Sequence, residues 1–566
     1  DWTCYQVYNY KFDLTEVPDW YFSDRNNSRW PNCHYSKINY RSGNLNGDVR
    51  INWELNRLQF LPAMAVSDEN LANRTIIDWL KNNLYLHGPA YLASMEVALR
   101  WISIYWAACL FKNPLDPSLV QNLTGLAIAS GRYIQGRLST HSSAGNHLIV
   151  EAVGLFWIGR ALEDTSLGTK WISSAREILR EQICRQIHPD GSNREQTLWY
   201  LGFVLDAVFH YYLLEDRQKI PKEMWNRVAK ALDFVDEMTL PDGSFPDYGD
   251  RDDGTVFRIH SQYGEPPFNG LLNVGAFFYD RPDRRRDSKE AKNRYAFWTG
   301  KQNIDAVGFD NNTNKNLKPE HPWLKTYPDG GMTSMTWGKG RLLFRHSLLG
   351  LDNSCGHGHA DALSIIFFWN GMPVLIDPGS GQYNADQNIR NYFRSTIAHN
   401  TIEVGGANQA EILGPFMWDK SYQTRLGKVG SSGDLWARAI HDGYLEVFST
   451  IHTRAIFWSA LYKIEIRDSF SGSNELPIRG AFHFGACRSI EQEKHMVTAD
   501  FGDFTFSIQF SPLFTVEKYF GSRDPFIGWR SAVYGEWEPI NSIIYSSDIK
   551  CPGSNTIVLS IGEAEH

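Results

Sequence analysis

Apolar residues recur at helical spacing through most of the first half of this chain, and this pattern constrains the fold more than any other feature. The gaps between the periodic segments are short and contain turn-forming residues, such as Lys112-Asn113-Pro114. Successive antiparallel helical hairpins are typical of an α/α toroid or a related solenoid. No fixed sequence repeat accompanies them, so this prediction depends on the number and length of the helices. The predicted helices are 53–66, 71–84, 91–111, 117–136, 145–163, 168–187, 195–215 and 222–238.

The second half changes to a β-rich pattern from about residue 330. Apolar runs are separated there by Gly, Asn and Asp, and Asn370-Gly371 between two such runs is a strong signal for a tight hairpin. We therefore predict an α+β multidomain protein, because 566 residues are too many for one ordinary core. The predicted domains are an α/α toroid over 1–320 and an antiparallel β-sandwich or β-sheet domain over 321–566, with the linker inside the polar stretch 281–330.

The composition narrows the classes of function. A formal net charge of −8 argues against a nucleic-acid partner, but an acidic sugar could still bind in a locally basic cleft. Aromatic residues make up 14% of the chain, and they fit either a large core or the stacking of sugar rings. Seven scattered cysteines without CxxC spacing indicate buried thiols, not a disulfide or zinc-finger framework.

Targeting information is sparse. No apolar run is long enough to cross a bilayer. The chain begins with Asp1 and not with Met, which indicates that a leader was removed or that the sequence was trimmed. We expect a periplasmic or secreted protein, with a cytoplasmic location as the alternative.

The segment Cys355-Gly356-His357-Gly358-His359-Ala360-Asp361 places ligand-type side chains at every second position. Asp377 follows at the end of the next predicted strand, and His399 follows a short distance later. Neutral imidazoles with a carboxylate suit zinc or a similar divalent ion. A lone histidine is usually structural, but this concentration within one β domain favours a site.

The predicted hairpin sets a condition on a shared metal site. A two-residue turn at Asn370-Gly371 places Asp377 opposite Ser364, and His359 then has the wrong parity for that face of the sheet. A bulge, or a loop before the strand begins, must therefore lie between His359 and Asp377 if both bind one ion.

Two further segments place polar residues at predicted helix starts. Asn146 and His147 lie in the first turn of helix 145–163, where free N–H groups favour an anion such as a sugar carboxylate, although an ordinary N-cap fits equally well. Ser192 and Glu195 have the spacing of a capping box, which would place Tyr200 about two turns into the next helix.

The loop Gly249-Asp250-Arg251-Asp252-Asp253-Gly254 is rich in carboxylates and resembles a cation-binding loop. It lacks the full spacing and the terminal Glu of an EF-hand. We therefore interpret it as a structural turn.

Taken in order, these segments resemble the heparinase II/III-like family of polysaccharide lyases over most of the chain. The resemblance is most specific in the β domain, and the segments around Asn146 and Tyr200 look like the family's carboxylate-binding pair and catalytic tyrosine. The matching stretches are Trp53-Glu54-Leu55-Asn56-Arg57, Met95-Glu96-Val97-Ala98-Leu99-Arg100-Trp101, Asn146-His147, Glu195 to Tyr200, His357-Gly358-His359-Ala360-Asp361, Asp377-Pro378-Gly379, Arg394-Ser395-Thr396 and His399-Asn400-Thr401.

The resemblance implies an active site in the cleft between a toroid and a β-sandwich. It makes Tyr200 the general acid and a candidate base, His357 a second base or an assisting residue, and Asn146 with His147 the groups that neutralise a uronate carboxylate. A divalent metal, Zn before Mn or Ca, would have a mainly structural role. Its ligands would be His359, Asp377 and His399, and the residues expected to contact substrate are Asn56, Arg57, Glu96, Arg100 and Arg394.

The implied reaction is β-elimination from a uronate-containing polysaccharide such as heparan sulfate, hyaluronan or chondroitin, with an alginate lyase of the same fold as the alternative. A tyrosine base would need a nearby cation to lower its pKa, and Arg194 and Arg394 are candidates. A glycoside hydrolase would need two carboxylates, for which Glu151 and Asp247 are candidates. A non-catalytic glycan-binding protein would explain the aromatic residues but not the ordered Asn, Tyr and His set.

Overall fold

The structure is a computed structural model that describes residues 4–25, 28–41, 43–141, 144–240, 243–259, 267–301, 309, 321–351, 354–384, 386–431, 433–473 and 475–563. The first half is helical in the segments that the periodicity predicts, although a turn interrupts the predicted helix 53–66. The helices are α1 (Val49–Asn56), α2 (Leu61–Ser67), α3 (Glu69–Asn82), α4 (Ser94–Leu110), α5 (Pro117–Gln135), α6 (Asn146–Ala161), α7 (Ser166–Gln186), α8 (Leu198–Leu214), α9 (Lys222–Met238), α10 (Phe268–Phe278), α11 (Lys289–Thr299), α12 (Gln387–Arg394) and α13 (Leu445–Phe448).

The helices of the first half form an inner and an outer layer. The inner helices α4, α6, α8 and α10 pack in succession, and α5, α7 and α9 pack outside them. The inner helix α8 is buried around nearly its whole circumference, whereas α9 buries a single stripe containing Met224, Val228 and Val235. This alternation is the arrangement predicted as an α/α toroid. Among the described residues, no helix is both long and apolar enough to cross a membrane.

The second half is antiparallel β-structure. Strands are β1 (Cys4–Val7), β2 (Tyr10–Asp13), β3 (Trp323–Tyr327), β4 (Met332–Trp337), β5 (Gly340–Arg345), β6 (Ile365–Trp369), β7 (Met372–Leu375), β8 (Ile402–Val404), β9 (Ile412–Gly414), β10 (Met417–Trp418), β11 (Thr424–Gly430), β12 (Leu435–His441), β13 (Ile451–Ala460), β14 (Lys463–Ser471), β15 (Glu475–His483), β16 (Ser489–Glu493), β17 (Met496–Asp500), β18 (Phe504–Gln509), β19 (Thr515–Phe520), β20 (Ser522–Arg523), β21 (Phe526–Ile527), β22 (Trp529–Arg530), β23 (Glu538–Pro539), β24 (Asn541–Lys550) and β25 (Gly553–Glu563).

Three larger sheets build the β half. Sheet 1 contains β3 to β7 in chain order, sheet 2 has the order β19-β24-β15-β8, and sheet 3 has the order β11-β12-β13-β14-β25-β18-β17-β16. Side chains from all three sheets share one hydrophobic core. The predicted antiparallel β-sandwich is therefore present.

Sheet 1 lies between the helices and this sandwich core. Leu342 and Phe344 of β5 and Phe367 of β6 point into the sandwich core. Leu343 of β5 and Ile366 of β6 point the other way, into the core of the helical half. Both faces of the sheet are buried, and accordingly the centre of β5 and all of β6 are continuous apolar runs.

The hairpin predicted at Asn370-Gly371 joins β6 to β7. The two turn residues have φ values of 52° and 80°, as a type I′ turn requires. The register of the pair shifts between Phe367 and Phe368, and the chain before β6 is a loop. Either a bulge or a loop would allow a common site for His359 and Asp377, and both are present.

The stretch 281–330, where we expected the linker, also contains α11 and β3. Residues 302–308 and 310–320 of this stretch lie outside the described residues. The turn after β3 is tied to the helical half, because the main-chain N–H groups of Asp329 and Gly330 donate to Oδ2 of Asp190 at 2.8 and 3.1 Å.

Candidate functional site

Loops from both halves of the chain meet at one place. The helical half supplies the beginnings of α6 and α8 and the loop Gly249–Gly254, and the β half supplies the segments around β6 and β7. The N–H group of Asp250 donates to the carbonyl of His357 at 2.9 Å, which joins the two halves directly. Gly358 is needed beside His357, because an added Cβ would collide with the carbonyl of Leu349.

The structure brings His359, Asp377 and His399 together as the sequence predicts. One ligand atom of each residue lies within 4.8 Å of the other two, and all three residues are buried. Asn400 holds its neighbour His399 in place, because its Nδ2 donates to one carbonyl at the start of β6 and another just after β7.

The hydrogen bonds of the two histidines leave one nitrogen on each that suits a cation. Nε2 of His359 lies 3.0 Å from Oδ1 of Asp250, and Nδ1 of His399 lies 2.9 Å from Oδ2 of Asp377. An ionised carboxylate only accepts, so these nitrogens carry the protons and the others keep their lone pairs. Those others, Nδ1 of His359 and Nε2 of His399, are buried without a hydrogen-bond partner in the described part of the chain. Together with the carboxylate of Asp377, they fit a divalent metal ion.

Asp250 connects this candidate metal-binding triad to His357. Its Oδ2 lies 3.0 Å from Nδ1 of His357, while Oδ1 contacts His359. Arg390 donates to both oxygens, at 2.5 and 2.7 Å. Burial acts to raise the pKa of Asp250, but Arg390 and the two histidines outweigh it and hold the pKa well below its usual range. The Asp250 anion therefore keeps a proton on Nδ1 of His357 and leaves the lone pair on Nε2.

Tyr200 stacks on His357, with ring centroids 4.2 Å apart. Its hydroxyl donates to Oδ2 of Asp252 at 2.7 Å and lies 3.1 Å from the hydroxyl of Tyr383. Arg50 donates to the same Oδ2 at 2.6 Å. Burial and the negative charge of Asp252 raise the pKa of Tyr200 well above its usual value, although Arg50 opposes them. The phenol is therefore protonated at neutral pH and suited to an acid more than to a base.

The predicted start of the helix that carries Tyr200 is wrong. Helix α8 begins at Leu198, and its N-cap is Thr197, whose side chain accepts from the N–H group of Tyr200. Tyr200 therefore lies in the first turn and not two turns in. The supposed capping box does not form, because Ser192 donates to Asp190 and Glu195 binds elsewhere.

The cation near Tyr200 also differs from the two that the sequence suggested. Arg194 is exposed, and Arg394 is buried beneath the chain that connects β9 and β10, where it donates to main-chain carbonyls. Burial and the neighbouring charge of Arg390 lower the pKa of Arg394 to about 9. Arg50 of α1 is the cation that shares a carboxylate with Tyr200.

Asn146 and His147 begin α6 as predicted, but a carboxylate of the chain itself occupies this helix N-terminus. Glu195 accepts from the main-chain N–H and from Nδ2 of Asn146, at 2.6 and 2.7 Å. Oε2 of Glu195 also lies 3.7 Å from Nε2 of His357. Burial and the proximity of His357 lower the pKa of His147 to about 4, so that its imidazole is neutral near pH 7.

The early-helix residues predicted to contact substrate belong to a buried framework. Arg57 donates to both carboxylate oxygens of Glu96, at 2.7 and 2.8 Å. Arg100 donates to the carbonyl of Asn56 and lies over the ring of Trp79. All four predicted residues are at most 2% exposed, which does not fit direct contact with a polysaccharide. They join α1 to α4 instead, and Arg394 likewise supports the main chain and does not face a cleft.

Four charged residues that organise this site were not among those predicted from the sequence. Asp250 and Asp252 belong to the loop interpreted as a structural turn, and Arg390 and Arg50 lie in α12 and α1. The density of carboxylates between two glycines was a usable signal for the loop. The two arginines carried no local signal, because their partners are distant in the sequence.

Two family models match most of the chain. The model described as "Heparinase II/III N-terminus" matches residues 19–265, and "Heparinase II/III-like, C-terminal" matches residues 320–549. The first match includes Asn146, Tyr200 and the Gly249–Gly254 loop. The second includes His357 and the metal-binding triad.

Two curated relatives align with part of the chain. A heparin-sulfate lyase of Bacteroides thetaiotaomicron is 24% identical over 296 residues, which is 50% of this chain and 40% of that protein. A heparin-sulfate lyase of Pedobacter heparinus is 24% identical over 377 residues, which is 64% of this chain and 53% of that protein. The chain thus spans about half the length of these curated relatives.

Solved structures share the fold over nearly all of the chain. Heparinase III superposes with a TM-score of 0.72 at 18% identity, covering 93% of this chain and 79% of that one. A mutant of the heparan sulfate lyase HepC from Pedobacter heparinus has a TM-score of 0.63 at 16% identity, covering 100% and 82%. The chondroitin AC lyase of Streptomyces coelicolor has a TM-score of 0.55 at 13% identity, covering 94% and 78%. Because the two family models together match most of its length, this chain belongs to the heparinase II/III-like family.

Proposed function

We propose that this protein is a polysaccharide lyase that cleaves uronate-containing glycosaminoglycans by β-elimination. The stacked pair of Tyr200 and His357 carries the proposal, because it sets a protonated phenol beside an imidazole whose Nε2 has a lone pair. Elimination needs one group to accept the proton at C5 of the uronate and another to protonate the leaving oxygen at C4. The names of the relatives, heparin-sulfate lyases and heparinase III, support this substrate class.

His357 is the base in this proposal. Its Nδ1 is bound to the Asp250 anion, so Nε2 takes the proton from C5. The electrons of the broken C5–H bond form the C4=C5 double bond, and the bond from C4 to the glycosidic oxygen breaks. Tyr200 gives its hydroxyl proton to that oxygen. Afterwards the imidazolium of His357 releases its proton to water and the phenolate of Tyr200 takes a proton from water, so that both groups return to their starting state. The products are an unsaturated uronate and a chain with a free hydroxyl.

Asn146 and His147 would bind the uronate carboxylate. The C5 proton is weakly acidic. Hydrogen-bond donors to the carboxylate stabilise the enolate-like state that forms when this proton leaves, and one such donor contributes roughly 3–4 kcal/mol. His147 is suited to this as a neutral N–H donor, because its lowered pKa keeps it uncharged. Glu195 fixes the amide of Asn146 from the other side.

We also propose that His359, Asp377 and His399 bind a divalent cation, with Zn²⁺ favoured by the two imidazoles and Mn²⁺ or Ca²⁺ as alternatives. When bound, the ion would supply a fixed positive charge that holds the loop before β6 to the segments after β7. His359 contacts Asp250, and Asp250 orients His357, so the triad positions the base without touching substrate.

The rival functions have weaker support. Glu151 is buried and accepts from the main chain and hydroxyl of Ser139, and Asp247 pairs with Arg251, so the two carboxylates suggested for a hydrolase have structural partners. A glycan-binding protein needs no proton-transfer pair. An alginate lyase of the same fold would use the same chemistry, and the assay below separates it from a glycosaminoglycan lyase by substrate.

The test is an absorbance assay against heparin, heparan sulfate, hyaluronan, chondroitin sulfates and alginate. A lyase produces an unsaturated uronate with new ultraviolet absorbance, a hydrolase produces reducing ends without it, and a binding protein produces neither. Tyr200→Phe and His357→Ala should each lower kcat by about 10²–10⁴-fold with unchanged thermal melting, because each loses one proton-transfer group. Near-normal turnover by Tyr200→Phe would reject its assignment as the acid.

A further inference from the structure

The hairpin formed by β9 and β10 exposes a cluster of apolar side chains beside the site. Leu413, Phe416 and Met417 are 53%, 37% and 51% exposed. Scattered exposed apolar residues are ordinary, but a contiguous group next to a catalytic pair indicates a surface that a ligand covers. The chemistry of the Tyr200–His357 pair does not use this hairpin.

Buried arginines hold the hairpin from beneath. Nε of Arg390 donates to the carbonyl of Pro415 at 2.9 Å, and Nη1 of Arg394 donates to the carbonyls of Gly414 and Pro415 at 2.6 and 2.9 Å. Arg390 also binds both oxygens of Asp250. One guanidinium group therefore fixes the hairpin and the carboxylate that orients the base.

The hairpin is also joined to the loop that carries His357. Nε1 of Trp418 donates to the carbonyl of Gly358 at 3.1 Å, and its N–H group donates to the carbonyl of Ser354 at 3.2 Å. Gly356 lies against Phe416, where an added Cβ would come within 3.3 Å of the Phe416 carbonyl. The hydrogen bonds of Trp418 thus fix the position of the hairpin relative to His357.

The ring of Phe416 is placed at the edge of the catalytic pair. Its centroid lies 5.7 Å from that of His357 and 5.0 Å from that of Tyr383, with interplanar angles of 71° and 76°. Arg390 lies over the ring with its guanidinium carbon 5.3 Å from the centroid. These neighbours fix the orientation of the ring, and the residue nevertheless stays 37% exposed beside His357.

We propose that Phe416 is a substrate-binding residue whose ring stacks on the apolar C–H face of a pyranose next to the cleaved linkage, with Leu413 and Met417 widening the contact. The proposal rests on the proposed lyase function. The occupant is a sugar ring and not a charged group, because the exposed side chains of the hairpin are apolar and the arginines beneath them, Arg390 and Arg394, are buried away from its surface. Phe416 acts on binding, so its loss affects KM and leaves the proton transfers intact.

The test compares Phe416→Ala, Phe416→Leu and Phe416→Trp with Phe520→Ala, steady-state kinetics being measured on the polysaccharide that the wild type cleaves best. Phe520 is 61% exposed on β19 and serves as the matched control. Removing one stacked ring should raise KM by about tenfold, which corresponds to about 1.4 kcal/mol, with kcat within about twofold. Phe416→Leu keeps the apolar character without the aromatic face and should also raise KM. Phe416→Trp keeps an aromatic face and should have a KM close to that of the wild type.

Thermal melting establishes that each variant is folded, and Phe416→Leu keeps the test valid if Phe416→Ala does not fold. Unchanged KM in Phe416→Leu, or an equal fall of kcat in all three variants, overturns the stacking role while the lyase function stands. Absence of any unsaturated product from the wild type on all the polysaccharides overturns both.

Discussion

Two carboxylates of the Gly249–Gly254 loop lie two residues apart and serve opposite sides of the site. Asp250 faces the imidazoles of His357 and His359, and Asp252 faces the phenol of Tyr200. Both carboxylates are fully buried, and burial alone would raise the pKa of each. Each nevertheless has a lowered pKa, because an arginine neutralises it.

The two arginines come from different halves of the chain, and through them one loop holds both the proposed base and the proposed acid. Arg390 of α12 lies with Asp250, whose charge keeps a proton on the inner nitrogen of His357. Arg50 of α1 lies with Asp252, whose charge keeps the proton on Tyr200. The two aspartates thus have opposite effects. Asp250 leaves a free lone pair on Nε2 of its partner His357, whereas Asp252 keeps the hydroxyl proton on its partner Tyr200.

Asp250→Asn should have the largest effect of the variants that separate the two sides of the site. The variant removes the anion that sets the tautomer of His357 and leaves Arg390 buried without its charge partner. We expect kcat to fall by about 10²–10⁴-fold and the free energy of unfolding to fall by about 3–5 kcal/mol. Steady-state kinetics and denaturant unfolding measure the two effects.

Asp253→Asn is the matched control for that variant. Asp253 belongs to the same loop and pairs with Arg251 and the N–H group of Tyr534, without contacting the histidines or Tyr200. It should lose stability and keep kcat. If Asp250→Asn retained the kcat of Asp253→Asn, the role of Asp250 would be structural alone.

Loss of the metal should disturb Asp250 and His357 and leave the contact between Asp252 and Tyr200 unchanged. We expect purified protein to contain about one divalent ion per chain and the variant with His359→Ala and Asp377→Ala to contain none. Its kcat should fall by about 10–100-fold, the size of effect typical of losing a group that orients a reacting residue without touching substrate. Metal analysis and kinetics provide the readouts, and full metal retention by the double variant would contradict the ligand assignment.

Asp252→Asn should change the pH dependence more than the rate at neutral pH. In the wild type, burial and the charge of Asp252 hold the pKa of Tyr200 well above its usual value, so the acid stays protonated at neutral pH. Without the Asp252 charge, Arg50 favours the phenolate and lowers this pKa, so activity is lost at a lower pH as the pH rises. The other groups that face the phenol are Asp250, Tyr383 and His357.

A kcat profile from pH 6 to 10 measures this alkaline loss, with Asp253→Asn again as the control. The alkaline loss should begin earlier in Asp252→Asn and stay at its wild-type position in the control. An unmoved profile would show that another group limits the reaction at high pH.

The same comparison shows which parts of the site the sequence could predict. Strand parity alone would have separated His359 from Asp377, and the family resemblance selected the three candidate metal ligands. The cluster of His and Asp residues that includes them was predictable, because it belongs to one short stretch of the β half. The helices and the hairpin were predictable for the same reason, since periodicity and turn chemistry act over a few residues.

The contacts of Asp252 with Tyr200 and Arg50 were not predictable from the sequence. Tyr200, Asp252 and Arg50 are separated by 52 and 202 residues, and their contact depends on how α1, α8 and the Gly249–Gly254 loop pack. The capping-box error has a similar origin. Glu195 has the right spacing for a cap, but it binds Asn146 of another helix, and this tertiary contact outweighs the local one.

Thr197→Ala should give the smallest effect and tests whether the two sides communicate through α8. The Thr197 hydroxyl donates to the carbonyl of Asp250 at 2.6 Å and accepts from the N–H group of Tyr200 at 3.5 Å, so it contacts both sides. We expect a loss of about 1–2 kcal/mol in the free energy of unfolding, as for other N-caps, with recovery in Thr197→Ser. Because Arg390 and Arg50 still hold the two carboxylates, kcat should fall by less than about tenfold. If Thr197→Ala instead moved the alkaline loss of kcat as far as Asp252→Asn does, the loop would have shifted as one body, and the separate roles of the two carboxylates would be wrong.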